Sequence, residues 1–229
     1  MAAPLPLSLQ LAWLLPMYGF SGMVLVLPWA AGWFPRNGQR PAAYLTILFT
    51  VLAVLHGSLA LWDVWQGGPH HLSVGWFRAA DLDLRIGFDL SPTSLAALQL
   101  VTVMSLIAQV FALGYFDKEW SLARFYGLLG FFEGALCGVV LSSNLFFCYF
   151  LLEMLTLSTY LLVGLWYAQP LVVTAARDAF FTKRVGDVLL LMSVVALAGT
   201  LLGLGLIAGP MGKCAQFPMH LWLDEAMEG

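Results

Sequence analysis

Four ionisable side chains stand inside apolar sequence, where charge is costly: Glu153, Arg184, Asp187 and Lys213. A lysine at membrane depth costs about 2.5–3.5 kcal/mol on insertion scales, so Lys213 needs a partner or a task. It lies in an apolar run over 203–223 that is interrupted by Pro210 and Pro218. Those prolines and the glycines at 209 and 212 predict a helix broken beside the amine. Carbonyls freed by the break must face protein or a water-filled cavity rather than lipid. An ionisable amine beside broken helix and water suits proton transfer. Snorkelling from a helix end is the alternative.

At 100° per residue, Tyr149, Glu153, Thr156 and Tyr160 share one narrow face of an otherwise apolar helix. Such a stripe points into a bundle or a wet cavity, where Glu153 either carries protons or makes one cross-helix hydrogen bond. On the preceding span Glu133 lines up with Tyr126, Gly130 and Cys137, and glycines at 127, 130, 134 and 138 would let another helix approach closely. Asp187 follows Arg184 by three residues and Lys183 by four, so both bases can reach it on one helix. That pair is either a plain structural ion pair or a switch whose field changes when a proton reaches Glu153 or Lys213. His56, deep in an apolar run, is either a helix-linking hydrogen-bonder or a relay.

Elements must hold these groups, and composition names their class. Of 229 residues, 61% are hydrophobic and only 10% charged, against about 25% charged in soluble domains, which places the chain in a membrane. No basic run exists, which speaks against a nucleic-acid partner. The three cysteines, Cys137, Cys148 and Cys214, lie in apolar stretches without C-x-x-C spacing and read as small buried hydrophobes, not as a zinc or disulfide framework.

Apolar runs of about 20 residues recur, which predicts an all-α polytopic membrane protein, a single transmembrane domain over 1–229. Spans are expected near 7–28, 43–62, 93–115, 123–142, 144–166 and 178–199, with a broken seventh near 200–219. Residues 63–92 form the one long polar connection. Lys and Arg concentrate on the sides that carry Arg36, Arg40, Lys118, Arg124, Arg177, Lys183 and Arg184, against Arg78 and Arg85 opposite. The positive-inside rule then puts the N-terminus outside the cytoplasm, with Trp29, Trp33, Trp62, Trp65, Trp76, Trp120, Trp166 and Trp222 near span ends as an aromatic belt.

Three blocks, LEMLTLSTYLLVG at 152–164, AFFTKRVGDV at 179–188 and GKCAQFPMHLWLDEAMEG at 212–229, resemble the antiporter-like membrane subunits of respiratory complex I and its photosynthetic relatives. Their order and spacing are similar to those of the largest, distal subunit. The resemblance implies the N-terminal part of an antiporter-like helix bundle. It implies that Glu153 is the fifth-helix proton-path glutamate, Arg184 and Asp187 the sixth-helix pair, and Lys213 the seventh-helix lysine.

Departures narrow it. The chain reads LSPTS at 90–94 where the ordinary subunit has an acidic residue, and it has Glu133 where that subunit is apolar. The segments 123–133, 169–178 and 213–216 look like the cyanobacterial variant found in NAD(P)H dehydrogenase-like complexes that take up carbon dioxide. In such complexes a peripheral carbon-uptake protein, with possible zinc, docks on the distal subunit and hydrates carbon dioxide. Members also carry more residues between the sixth and seventh helices and continue beyond 229, so the chain looks incomplete by that comparison.

The resemblance thus implies a proton-translocating subunit of a ferredoxin-driven, plastoquinone-reducing complex in the cyanobacterial thylakoid membrane, with its N-terminus lumenal, among other membrane subunits and lipids. The chain lacks cysteine sets for iron–sulfur clusters and any dinucleotide fingerprint, so no cofactor is expected on it and redox chemistry falls to other subunits. Arg40, Tyr44 and Asp117 are the expected mouth for carbon dioxide chemistry, with Glu133 and His56 as the internal relay. An ordinary respiratory or cyclic-electron-flow subunit, a multi-subunit cation/proton antiporter and a passive docking scaffold are the competing functions.

Overall fold

The computed structural model describes residues 5–34, 40–79, 82–116, 121–196, 199–216, 219 and 221–227. Asp117 lies outside the described residues, as do Arg36, Lys118, Glu119 and Trp120. The chain runs α1 (Leu7–Gln10), α2 (Leu14–Ala30), α3 (Arg40–Gly67), β1 (His70–Ala79), β2 (Leu82–Leu90), α4 (Pro92–Tyr115), α5 (Leu122–Leu141), α6 (Leu145–Val163), α7 (Pro170–Ala196), α8 (Gly199–Lys213) and α9 (Leu221–Ala226). Among the described residues α3, α4, α5 and α6 are each long and apolar enough to cross a membrane, and α2 is a shorter apolar helix. The helical class expected from hydropathy holds. The expected first span is interrupted, because α1 and α2 are separate helices joined by a turn.

The polar connection is not a loop. Its alternating Leu72, Val74, Trp76 and Leu82, Leu84, Ile86, Phe88 favour strands, and β1 and β2 form an antiparallel hairpin from His70 opposite Leu90 to Ala79 opposite Leu82. A register shift falls between Gly75 and Phe77. The hairpin is tied to the end of α5: the Ser143 N–H donates to the Gly87 carbonyl at 3.0 Å, and Asn144 Nδ2 donates to the Arg85 carbonyl at 3.0 Å. The serines of LSPTS then start α4. Ser91 Oγ accepts from the Ser94 N–H at 3.2 Å, Ser94 Oγ accepts from the Ser91 N–H at 3.0 Å, and Pro92 fills the first turn, which together form a capping box.

Residues 1–148 and 149–229 form two compact units. In the first, α2 packs along α5 where glycines face each other. A Cβ added to Gly19 would lie 2.5 Å from the Gly134 nitrogen and 2.6 Å from the Gly130 carbonyl oxygen, so no other residue fits this crossing. In lipid, apolar burial does not drive helices together, and such close backbone contact supplies the dispersion energy instead. Leu9, Leu15, Ala60, Val64, Leu90, Leu95, Leu98, Cys137 and Leu141 form the buried cluster beside it.

In the second unit α7 packs against α8 and α9. The helix break expected at 209–212 is displaced. Pro210 sits inside α8, which continues to Lys213, and the chain departs only where Ala215 takes φ 50°. The Cys214 N–H still donates to the Pro210 carbonyl at 2.8 Å. The Gly212 carbonyl, left beyond helical partners, accepts from Trp222 Nε1 at 2.9 Å. A proline is tolerated where neighbouring groups take over its lost hydrogen bonding. Two further expectations change. Trp222 is buried rather than part of an interfacial belt, and Cys214 is exposed rather than packed.

Candidate functional site

The second unit gathers the intramembrane charges into two linked ion pairs. On α6 the predicted stripe exists: Tyr149 donates through its hydroxyl to Glu153 Oε1 at 2.5 Å, and Glu153 Oε2 forms an ion pair with the Arg184 guanidinium of α7. One turn along both helices, Thr156 donates through Oγ1 to Asp187 Oδ2 at 2.8 Å. Lys213, in the last turn of α8, places Nζ 2.7 Å from Asp187 Oδ1 and donates to Thr156 Oγ1 at 2.7 Å and to the Leu152 carbonyl at 3.3 Å. The Asp187 side chain is 1% exposed and that of Lys213 is 19% exposed, so this pair is screened far less than a surface pair would be.

The sequence expectation of an Arg184–Asp187 pair is therefore corrected. Although three residues apart on one helix, they turn to different partners, Arg184 to Glu153 and Asp187 to Lys213. Each base meets an acid on another helix. The Arg184 guanidinium also lies over the Phe180 ring at 4.9 Å. Lys183, a second candidate partner for Asp187, is buried and instead donates to Thr159 Oγ1 at 3.1 Å, with its ammonium 3.9 Å from the Trp222 ring centroid.

A cation at one ion pair feels the neighbouring pair strongly. At one helical turn, about 5.4 Å, and an effective dielectric of about 20, two unit charges interact by about 3 kcal/mol. That is several times thermal energy for bare charges, and the two ends of a closed pair partly cancel it, so the coupling would grow when a proton neutralises one member of a pair. Thr156 lies between them in the chemistry: its hydroxyl accepts from Lys213 while its hydrogen can go to Asp187 or back to the Leu152 carbonyl at 3.2 Å. A hydroxyl that receives from one group and gives to another can pass a proton between them.

In the first unit Glu133 of α5 is 2% exposed. Its Oε2 accepts from Thr50 of α3 at 2.7 Å and from Ser105 and Gln109 of α4 at 2.6 Å and 3.0 Å. His56 is elsewhere in hydrogen-bonding terms. Its Nε2 lies 2.9 Å from the Ser8 carbonyl and its Nδ1 3.4 Å from the Tyr18 hydroxyl, while the Ser8 hydroxyl donates to Asp63. Among the described residues Glu133 and His56 share no hydrogen-bond partner. Arg40 begins α3 and Tyr44 is exposed one turn later, consistent with a shared face. Among the described residues no three His, Cys, Asp or Glu side chains are grouped as metal ligands would be.

Sequence reasoning missed Thr50, Ser105 and Gln109 around Glu133, and Trp222 over Lys183. The first set carried a signal, since Ser105 and Gln109 lie four residues apart in an apolar helix and so share a face. The second had none, because nothing local relates residues 183 and 222.

Comparison with known proteins fits this geometry. Residues 76–126 match the family described as NADH-ubiquinone oxidoreductase (complex I), chain 5 N-terminus, and residues 142–201 match NADH:quinone oxidoreductase/Mrp antiporter, TM. The chain is thus similar to complex I chain 5 over the first of these segments and to the quinone oxidoreductase and Mrp antiporter membrane domain over the second. It is 63% identical over 98% of its length to NAD(P)H-quinone oxidoreductase subunit 5, organellar chromatophore 2, of Paulinella chromatophora, and 30% identical over 97% to chromatophore 1 of the same organism. NAD(P)H-quinone oxidoreductase chain 5 of Synechocystis is 29% identical over 96%. The chain spans 41%, 38% and 37% of the lengths of these relatives.

Two solved structures share the fold. The membrane-bound sulfane sulfur reductase, an archaeal respiratory membrane complex, matches 95% of this chain and 47% of its own with a TM-score of 0.75 at 16% identity. The Mrp complex from Dietzia matches 94% of this chain and 25% of its own with a TM-score of 0.74 at 20% identity.

Proposed function

We propose that this chain is the proton-translocating antiporter-like subunit of a quinone-reducing membrane complex, in the branch specialised for carbon dioxide uptake. The observation that carries the reading is the Lys213–Asp187 ion pair joined through Thr156, one turn from the Glu153–Arg184 pair. The cycle begins with both pairs closed. A proton arriving at Glu153 neutralises its carboxylate and weakens its hold on Arg184. The cation then turns its field on the Asp187–Lys213 pair, and Lys213 passes a proton onward as the pair opens. The proton held on Glu153 then passes to Lys213, so one proton enters for each that leaves and both pairs close again. Thr156 provides the hydroxyl step, and Tyr149 orients Glu153.

The carbon dioxide assignment rests on the resemblance of segments 123–133, 169–178 and 213–216 to the uptake variant and on Glu133 where the ordinary subunit is apolar. It implies ferredoxin as donor, plastoquinone as acceptor, a thylakoid location with a lumenal N-terminus, other complex I membrane subunits as neighbours, and a docked carbon-uptake protein at the Arg40–Tyr44–Asp117 mouth.

Two measurements test it. In the assembled complex Lys213→Ala should leave electron transfer to quinone measurable while abolishing the linked proton uptake; full pumping by this variant overturns the proton-path reading. Copurification with a tagged carbon-uptake protein and whole-cell carbon dioxide uptake test the specialisation, and loss of neither on deleting the gene overturns it. The likeness to the Mrp complex favours one other reading, a cation/proton antiporter subunit. Cation exchange in vesicles without an electron donor would establish that instead.

A further inference from the structure

The Glu133 carboxyl is used unevenly. Oε2 accepts three hydrogen bonds, from Thr50, Ser105 and Gln109, while Oε1 is buried with no hydrogen-bond partner among the described residues. A second buried oxygen without a partner lies on Gln109, which is 0% exposed: its Oε1. The other end of that carboxamide is fully engaged, with Nε2 2.7 Å from Thr50 Oγ1, 3.1 Å from Ser105 Oγ and 3.0 Å from Glu133 Oε2. Exchanging the amide oxygen and nitrogen does not relieve this. The exchanged carbonyl would lie 3.0 Å from Glu133 Oε2, again two acceptors facing each other, and a hydroxyl hydrogen turned to it would be taken from that carboxyl oxygen.

The two orphaned oxygens thus belong to a carboxyl and a carboxamide that already share one hydrogen bond. Each buried acceptor left unsatisfied keeps the full cost of its lost hydration. One proton shared between the two oxygens would remove both penalties. Placed on Glu133 Oε1, it makes a hydroxyl that can donate to Gln109 Oε1, completing a cyclic acid–amide pair whose first half is the 3.0 Å bond.

The surroundings favour a neutral group. The partners of Glu133 among the described residues are a threonine, a serine and a glutamine, none of them cationic. On the neighbouring face of α5, at Gly130 and Gly134, α2 presents Pro16, Gly19 and Phe20, none of them charged. Cys137, the next turn of α5, is a buried thiol, and the Tyr126 hydroxyl is committed to the Gln109 carbonyl at 2.6 Å. An ionised carboxylate without a cation at this depth is the costly alternative.

We infer that Glu133 and Gln109 form a proton-binding site, in which Glu133 is held as a neutral carboxylic acid with Gln109 as the acceptor of its O–H. The inference rests on the first unit alone and stands or falls separately from the proton path through Lys213.

Infrared difference spectroscopy of the assembled complex tests it. At neutral pH, wild type minus Glu133→Gln should show the C=O band of a protonated carboxylic acid, moving to lower frequency in deuterium oxide. Gln109→Leu removes the acceptor and should shift that band to higher frequency. If this variant does not assemble, Gln109→Glu retains an acceptor and should alter the band without abolishing it. Carboxylate bands in place of the acid band overturn the proposal. So does a carboxylate signal that changes when lithium replaces sodium, which would assign a cation site. An acid band indifferent to every Gln109 variant that assembles also overturns the pairing.

Discussion

Lys213 and Asp187 meet at 2.7 Å, the lysine at the end of α8 and the aspartate within α7, and the aspartate is almost wholly withdrawn from solvent. Removing one partner of a fully buried pair costs about 3–5 kcal/mol, because the other charge is left uncompensated. Lys213 retains some exposure, so Asp187→Asn should cost less than that. Thermal stability of the assembled complex should fall more in Asp187→Asn than in the double variant Asp187→Asn with Lys213→Met. Equal losses would show that the pair contributes no coupling.

Glu153→Gln preserves size and can still accept from Tyr149 but leaves Arg184 without its counter-charge. Proton flux coupled to quinone reduction should drop at least tenfold while assembly persists. A variant that fails to assemble, alongside Glu153→Asp with normal flux, would make this carboxylate structural.

Thr156→Val keeps the side-chain shape and deletes the hydroxyl between Lys213 and Asp187. Hydrogen bonds to charged groups contribute about 1.5–3 kcal/mol each, so a modest loss of stability is expected. The informative readout is the solvent isotope effect on flux. It should rise in Thr156→Val as proton transfer becomes limiting, and an unchanged effect with unchanged flux removes Thr156 from the wire.

Gly19→Ala would force a methyl against the α5 backbone, 2.5 Å from the Gly134 nitrogen. Overpacking of this kind costs about 1–3 kcal/mol or more, so the variant should assemble poorly. Gly114→Ala is the control. Its added carbon meets nothing within 4 Å, and helix propensity favours alanine by about 1 kcal/mol, so stability should be unchanged or raised. The opposite ranking of the two would contradict the α2–α5 packing.

Trp222→Phe retains a ring for the Lys183 ammonium but loses the N–H that reaches the Gly212 carbonyl. It should loosen the segment beyond Lys213, seen as faster amide exchange after residue 213 than in wild type. Unaltered exchange would show that the indole N–H does not hold the helix end.

The sequence by itself determined what depends on neighbours along the chain. Hydropathy located α3, α4, α5 and α6 because a span must be apolar over its whole length. Helical periodicity placed Tyr149, Glu153 and Thr156 on one face, and the glycines of α5 marked the surface that α2 occupies. The hairpin was written in its alternating residues, but hidden behind the charges of the same segment.

Tertiary structure alone decided which opposite charges meet. Arg184 could reach Asp187 along α7, yet Glu153 and Lys213 from other helices take the two partners instead. Coulomb energy depends on distances between helices, which the order of residues along one helix does not contain. The end of α8 was decided in the same way. Pro210 signalled a break, but helical bonding continues past it and the chain turns only after Lys213, where the distant Trp222 satisfies the freed Gly212 carbonyl.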